Sequence, residues 1–134
     1  MPDDITFPSS VGTVVRGIRA FLTGTGWSGA KAVTTQPRLP DAPHRTARMV
    51  TVRDDGGTPR NGVSLRRHGF NIWADDPVEA ETLAIDVADC CRSSFAAVEV
   101  SDPIDVTDED DAAMRSGMFH YFVSAVLVIR ASNL

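Results

Sequence analysis

The run Met118–Arg130 constrains the fold more than any other stretch of this sequence. Its side chains form two alternating sets, and both are largely apolar. One set is Phe119, Tyr121, Val123, Ala125, Leu127 and Ile129, and the other is Met118, His120, Phe122, Ser124, Val126 and Val128. A period of two is typical of a β-strand. Because both faces are apolar, we predict a central strand with a helix on one side and a neighbour on the other.

Two other stretches have the period of an α-helix. Pro8, Ser9 and Ser10 form a helix-start signal, and the glycines at 24, 26 and 29 end the first helix. Its apolar stripe is Val11, Val14, Val15, Ile18, Phe21 and Leu22. A second helix is predicted over Pro77–Arg92, capped by the acidic residues before Pro77. Its buried stripe is predicted to be Ala80, Leu83, Ala84, Val87, Ala88 and Cys91.

The remaining periodic segments are shorter and predict strands. They are Ala30–Thr34, Arg48–Arg53, Val63–Ala74, Ala97–Val100 and Ile104–Val106. In Val63–Ala74 we expect Phe70 and Ile72 on one face and Trp73 on the other. Glycine and asparagine tolerate positive φ, so Asp54–Gly57 and Asn61–Gly62 are predicted as turns.

This order of elements predicts an α+β fold. We expect a mixed or antiparallel sheet of four to five strands packed by two α-helices. The 134 residues are enough for one compact domain, which we predict to span residues 1–134. No apolar run reaches the roughly 18 residues that a membrane-spanning helix needs, and no signal-peptide pattern is present.

The charge of the chain is divided between its two halves. Residues 1–74 carry a net +5 and residues 75–134 a net −10, which gives −5 for the whole chain. Such asymmetry usually means that one face meets a charged partner. Apart from Lys31, every basic residue is an arginine, whose planar guanidinium suits pairing with carboxylates or phosphates.

One motif resembles a cofactor site by its letters alone. Gly24–Gly29 reads G-x-G-x-x-G, but that dinucleotide fingerprint must follow a strand and open a helix, and here it follows a predicted helix. We therefore interpret it as a helix end and a loop. The serines have no G-x-S-x-G pattern and the three histidines lie far apart in the sequence. The sequence therefore predicts neither an enzyme nor a cofactor.

The acidic loop and the two cysteines are the possible metal ligands. Asp105, Asp108, Glu109, Asp110 and Asp111 have oxygen ligands suited to Mg²⁺ or Ca²⁺. An EF-hand starting at Asp108 fails, because its fifth, sixth and twelfth positions are Ala112, Ala113 and Phe119. We interpret the loop as solvated or facing an interface. The adjacent Cys90 and Cys91 are expected to be buried, reduced and without metal.

Two surface features favour protein contact. The basic group Arg60, Arg66, Arg67 and His68 lies on or beside the predicted hairpin. Nucleic-acid contact stays open there, although no aromatic residues are interleaved and the chain is acidic overall. Pro37, Pro40 and Pro43 recur with period three, which fits a stiff connector or a polyproline II ligand.

The order of motifs resembles the tail terminator proteins of long, non-contractile-tailed bacteriophages, especially those of actinobacterial hosts. An N-terminal amphipathic helix precedes the strand Met49–Gly57, and Phe70–Asp75 leads directly into the helix Pro77–Arg92. Asp102–Val106 and the closing strand His120–Arg130 follow. The resemblance covers nearly the whole chain, and the preference for arginine over lysine fits a high-GC genome.

The resemblance implies a small, non-catalytic α+β subunit of a six-fold ring. The ring would cap the finished tail tube and present a surface to the head side. The implied partners are further copies of the chain, the major tail tube protein and the head–tail connector or stopper protein. Double-stranded DNA would pass through the lumen without specific binding, and no membrane is involved. The protein would be assembled in the host cytoplasm and lie at the tail–neck junction of the virion.

The charge division suggests which residues meet in such a ring. Arg60, Arg66 and Arg67 are candidates for one side of an interface, and Asp108, Glu109, Asp110 and Asp111 for the other. Each subunit would then meet its neighbour through two different surfaces.

Three alternatives remain at this stage. One is a head-closure or stopper protein of the same neck. The second is a small nucleic-acid-binding or modifying protein, and the third a metal-dependent hydrolase that uses the acidic loop.

Overall fold

Two α-helices cover one face of a mixed β-sheet in the computed structural model, which describes residues 10–40, 46–60, 63–107 and 117–130. The helices are α1 (Ser10–Gly24) and α2 (Pro77–Ser94), with a 3₁₀ turn at Gly29–Lys31. The strands of the described part are β1 (Thr34–Gln36), β2 (Arg48–Arg60), β3 (Val63–Ala74), β4 (Glu99–Val100), β5 (Ile104–Asp105) and β6 (Phe119–Arg130). The predicted α+β class is confirmed, although the sheet has six strands where four to five were expected.

The sheet is built around β3 and β6. The strand order is β1-β2-β3-β6, and both β4 and β5 pair with the outer side of β6. Among the described strands, the β1–β2 pair is parallel and the other pairs are antiparallel. The sheet therefore has two lateral edges of different composition, one formed by β1 and the other by β4 and β5.

The core lies between the helices and the facing side of the sheet. α1 buries Val14, Val15, Ile18 and Leu22, and every residue of the stripe predicted for α2 is buried. The acidic cap of α2 is Asp76, whose side chain accepts a hydrogen bond of 2.9 Å from the Glu79 amide. Both predicted helices are therefore confirmed, because the apolar period of each helix and the acidic cap of α2 are local properties of the sequence.

Cys90 and Cys91 lie in this core as free thiols. Burial raises the pKa of Cys90 to about 11 and that of Cys91 to about 12. Both side chains remain protonated near neutral pH and pack as small apolar groups, as the sequence predicted.

Two local predictions are wrong. The segment Ala30–Thr34 is not a strand, because the chain makes the 3₁₀ turn first and β1 begins at Thr34. Asp54–Gly57 is not a reversal, because β2 continues through it with a bulge between Asp54 and Gly56. Gly56 has φ +101° there, and at Gly57 a Cβ would collide with the carbonyl oxygen of Leu65. The turn predicted at Asn61–Gly62 lies outside the described residues.

β6 is an inner strand, as predicted, but its two faces differ in cover. Val123, Ala125, Leu127 and Ile129 face the helices and are buried. On the opposite face Phe122, Val126 and Val128 are half-buried, and no described helix covers them. We call this helix-free side of β2, β3 and β6 the open face.

Candidate interaction surfaces

Arg66, a predicted interface residue, points to the helix side of β3 and binds Asp54. Its Nε and Nη2 donate to the two Asp54 carboxylate oxygens at 2.9 and 3.1 Å. The Ser10 hydroxyl and the Gly56 amide donate to the same carboxylate at 2.6 and 2.8 Å. Burial raises the pKa of Asp54, but the hydrogen bonds from Arg66, Ser10 and Gly56 outweigh it and lower the pKa to about 2. Arg66 is therefore half of an internal ion pair that ties the start of α1 to the bulge.

Arg67 lies on the opposite side of β3, on the open face. Its Nη1 donates to the Ser124 hydroxyl at 2.9 Å, and its Nη2 lies 3.5 Å from the Glu99 carboxylate. The side chain is 44% exposed. The structure therefore does not bring the neighbouring Arg66 and Arg67 together, because successive side chains of a strand point to opposite faces.

The other predicted interface residues are described only in part. Arg60 is the last residue of β2, where it pairs with Val63, and its side chain is not among the described ones. Asp108, Glu109, Asp110 and Asp111 lie outside the described residues. The hypothesis that these residues meet a neighbouring copy stays a prediction.

The centre of the open face is ordered around Gly69. A Cβ on Gly69 would lie 3.0 Å from both Arg53 Nη2 and Asp55 Oδ2, and 3.1 Å from the Phe122 ring. Arg53 donates to Asp55 at 2.6 Å, and its guanidinium lies 5.8 Å from the centroid of the Phe122 ring. The missing side chain at position 69 thus makes room for an ion pair and a cation–π contact on the sheet.

One end of the open face is covered. Trp73 stacks on His120 with ring centroids 4.5 Å apart, and His120 Nε2 lies 2.8 Å from the Asn71 side-chain oxygen. Met49 and Trp73 are buried together with Met118 and pack against Leu39, which follows β1. The uncovered part of this face is therefore the part that holds Phe122, Val126 and Val128.

The Gly24–Gly29 motif lines a concavity of about 310 Å³ beside α2. Trp27 Nε1 donates to Asp86 at 2.7 Å across it. Arg48 binds Glu79 of the same wall through two hydrogen bonds of 3.0 Å. The motif follows α1, which ends at Gly24, so its interpretation as a helix end and a loop is confirmed.

The described histidines have separate surroundings. His68 is fully buried, its Nδ1 lies 3.2 Å from the Arg66 carbonyl oxygen, and its Nε2 has no hydrogen-bond partner in the described part of the chain. Sequence reasoning placed this residue with the surface basic group and missed its burial.

Among the described side chains, no group of three His, Cys, Asp or Glu could hold a metal ion. No described helix is long and apolar enough to cross a membrane.

Several described charges form no ion pair, and two groups of them lie at opposite edges of the sheet. Within the described ranges, Arg16, Arg19 and Arg38 form no ion pair, and Arg19 instead donates to the Thr35 carbonyl of β1 at 2.6 and 3.0 Å. Arg16 and Arg19 lie on α1, which packs over β1 and β2, and Arg38 follows β1. We call these three residues the basic edge.

The opposite edge carries three carboxylates that are outside the described ion pairs. Glu81, Asp102 and Asp105 form no ion pair with any described cation. Glu81 accepts a hydrogen bond of 3.4 Å from the Tyr121 hydroxyl, and Asp105 is paired with Tyr121 across β5 and β6. Burial and the charges of Asp105 and Glu81 raise the pKa of Tyr121. We call Glu81, Asp102 and Asp105 the acidic edge.

No protein-family model matches this chain, and no curated protein matches it.

Proposed function

We propose that this chain is a tail terminator protein of long, non-contractile-tailed bacteriophages. In this proposal copies of the chain form a ring that caps the completed tail tube and joins it to the head–tail connector. The partners are further copies, the tail tube protein and the connector or stopper protein, and DNA passes the lumen without specific binding. The site of action is the tail–neck junction of the virion.

The open face is the observation that carries this proposal. Phe122, Val126 and Val128 form a half-buried apolar row on it, with Arg53 and Arg67 held beside them by ion pairs. Apolar surface rimmed by ordered polar groups is typical of protein–protein contacts. A subunit that is enclosed by neighbouring rings on assembly needs a preformed face of this kind.

The order of the elements gives further support. The chain runs from an amphipathic helix through a long hairpin to a second helix, then through two short strands to a long inner strand. This is the order on which the resemblance to tail terminators rests. β2, β3 and β6 are the longest strands of the described part, and together they form the open face.

The test is to add the purified protein to tail tubes assembled from the tube protein of the same genome. Electron microscopy should show a ring at one end of each tube, and the capped tubes should stop elongating. Tubes that keep growing without an added ring would contradict the proposal. Binding to the head-side connector but not to the tube would instead indicate the stopper protein.

A matched pair of variants tests the open face. Val126→Asp places a charge on this face and should abolish capping. Val78→Asp makes the same change on α2, where Val78 is 71% exposed, and should leave capping intact. Equal capping by both variants would remove the open face as the support for this function.

A further inference from the structure

We propose that the basic edge of one copy binds the acidic edge of the next copy, so that the chain associates head to tail through Arg16, Arg19 and Arg38 on one side and Glu81, Asp102 and Asp105 on the other. This inference rests on the proposed function, because it names the surfaces through which the copies of the ring meet. The open face keeps its role as the contact surface for neighbouring rings.

The basic edge is a firm surface. Arg19 is fixed over β1 by its two hydrogen bonds to the Thr35 carbonyl, and Arg16 lies three residues earlier on α1, where its Nη2 donates to the Thr13 hydroxyl at 3.5 Å. Arg38 follows β1 and lines a concavity of about 330 Å³ formed by residues Gln36–Pro40. Its two prolines restrict the backbone, and together with Leu39 they make the lining largely apolar.

The acidic edge has the complementary character. Ile104 of β5 is 50% exposed and stands between Asp102 and Asp105. Ile85, one turn after Glu81 on α2, is 45% exposed. The edge therefore offers apolar side chains among carboxylates, where the basic edge offers an apolar concavity among guanidinium groups.

The partner is a second copy because the two edges cannot meet within one copy. They lie at opposite ends of the strand order, separated by β2, β3 and β6. Other cations of the first half already have partners from the second half, as in the pairs Arg48–Glu79 and Arg67–Glu99. The unpaired charges of the two edges are of opposite sign, so pairing of one edge with the other is heterologous and can close a ring.

Paired charge reversals test this contact. One variant carries Arg16→Glu and Arg38→Glu, and the other carries Glu81→Arg and Asp102→Arg, while Arg19 and the Asp105 turn to Thr107 remain intact. In each variant two of the three charges of one edge are reversed, so that both edges have the same net sign and neither variant alone should assemble. Mixed in equal amounts, the two variants restore opposite charges at both kinds of contact and should form alternating rings. Native mass spectrometry and light scattering measure the assembly, alone and with the tail tube protein.

The outcomes separate this inference from the proposed function. Assembly of the mixture but of neither variant alone supports it. The edge contact is overturned if each variant alone assembles as the wild type does. It is also overturned if the mixture fails to assemble although both variants have the circular dichroism of the wild type. Neither result contradicts ring formation by the wild type. A wild-type chain that forms no ring with the tube protein overturns both. Asp75→Arg, an exposed acidic residue outside the acidic edge, is the matched control and should assemble.

Engineered cysteines give an independent measurement. The double variant Arg38→Cys/Asp102→Cys should give a ladder of covalent oligomers with a short bis-maleimide, because each copy then carries both halves of the contact. Mixing the two single variants should give covalent dimers only. Cys90 and Cys91 are buried and do not compete for the reagent. A double variant that stays monomeric under conditions where the wild type forms a ring contradicts the contact.

Discussion

His68 is the residue whose burial has the clearest consequence for stability. Burial lowers its pKa below the ordinary value of 6.5, although the nearby Arg66 carbonyl and the Asp54 charge act in the opposite direction. The unfolded chain therefore binds the proton more readily than the folded chain. The stability that neutral His68 gives is complete above about pH 6.5 and is lost as the pH falls below that value.

We predict that His68→Leu weakens the pH dependence of folding. The unfolding free energy of the wild type should fall between about pH 7 and pH 5, and the variant should fall less over the same range. Urea unfolding at several pH values measures both slopes, so any change in stability at pH 7 itself does not enter the comparison. Equal slopes would show that protonation of His68 does not couple to folding.

The Asp54 carboxylate accepts four hydrogen bonds, two from Arg66 and one each from Ser10 and Gly56. Asp54→Ala removes the acceptor of Arg66, Ser10 and the Gly56 amide and should cost about 1–3 kcal/mol, as expected when partly buried donors lose a charged acceptor. Asp55→Ala breaks only the Arg53 pair, in which Arg53 is 59% exposed, and should cost less than about 1 kcal/mol.

The pH gives a second measurement on the same variants. Because the pKa of Asp54 is about 2 and its ordinary value is 3.8, its contribution is present above about pH 4 and disappears as the pH falls towards 2. The difference in unfolding free energy between wild type and Asp54→Ala should shrink over that range. A constant difference would contradict the role of the ionised carboxylate.

At the scale of elements, the bulge in β2 depends on a close approach between backbones. Gly57→Ala would push a methyl group into the Leu65 carbonyl of β3 and should destabilise the fold by about 1–3 kcal/mol, the usual cost of overpacking. Gly24→Ala, at the exposed end of α1, meets no atom within 4 Å and is the matched control. Thermal unfolding of the two variants measures the difference in stability. Equal melting temperatures would show that β2 and β3 can move apart at Gly57 without a loss of stability.

The elements that could be predicted from the sequence are those with local causes. α2 can be predicted from its apolar stripe and acidic cap, and β6 from its period of two, because each signal lies within one short stretch of sequence. The structure contains both elements. The bulge could not be predicted, because Asp54–Gly57 has the same preference for positive φ in a turn and in a bulge. Pairing with β3 decides between them. β1 has only three residues, which is too few to show a period of two in the sequence. It is a strand because it pairs in parallel with β2.

The candidate site could be predicted less well than the fold. Arg66 and Arg67 are neighbours in the sequence and were assigned to one surface, yet strand alternation sends them to opposite faces, where Asp54 and Glu99 bind them. His68 was grouped with them although it is buried. The charge pattern along the chain indicates two poles, but only the pairing of strands and helices shows which charges are already neutralised.

At the scale of the whole molecule, the net charge of −5 conceals two edges of opposite sign. If these edges hold copies together, association must weaken as salt screens them. If the apolar open face were the main contact between copies, salt would instead leave association unchanged or strengthen it. The ionic strength therefore separates the two surfaces without any mutation.

We predict that wild-type assembly declines as salt is raised towards about 1 M, where the screening length falls to about 3 Å. The equal mixture of the two charge-reversed variants should also decline, because edges of opposite net charge form both kinds of its contacts. Val126→Asp should change capping of the tube but not this salt dependence, since Val126 lies on the open face and not at either edge. Sedimentation velocity over a salt series measures all three, and an association that strengthens with salt would assign the contact between copies to the open face.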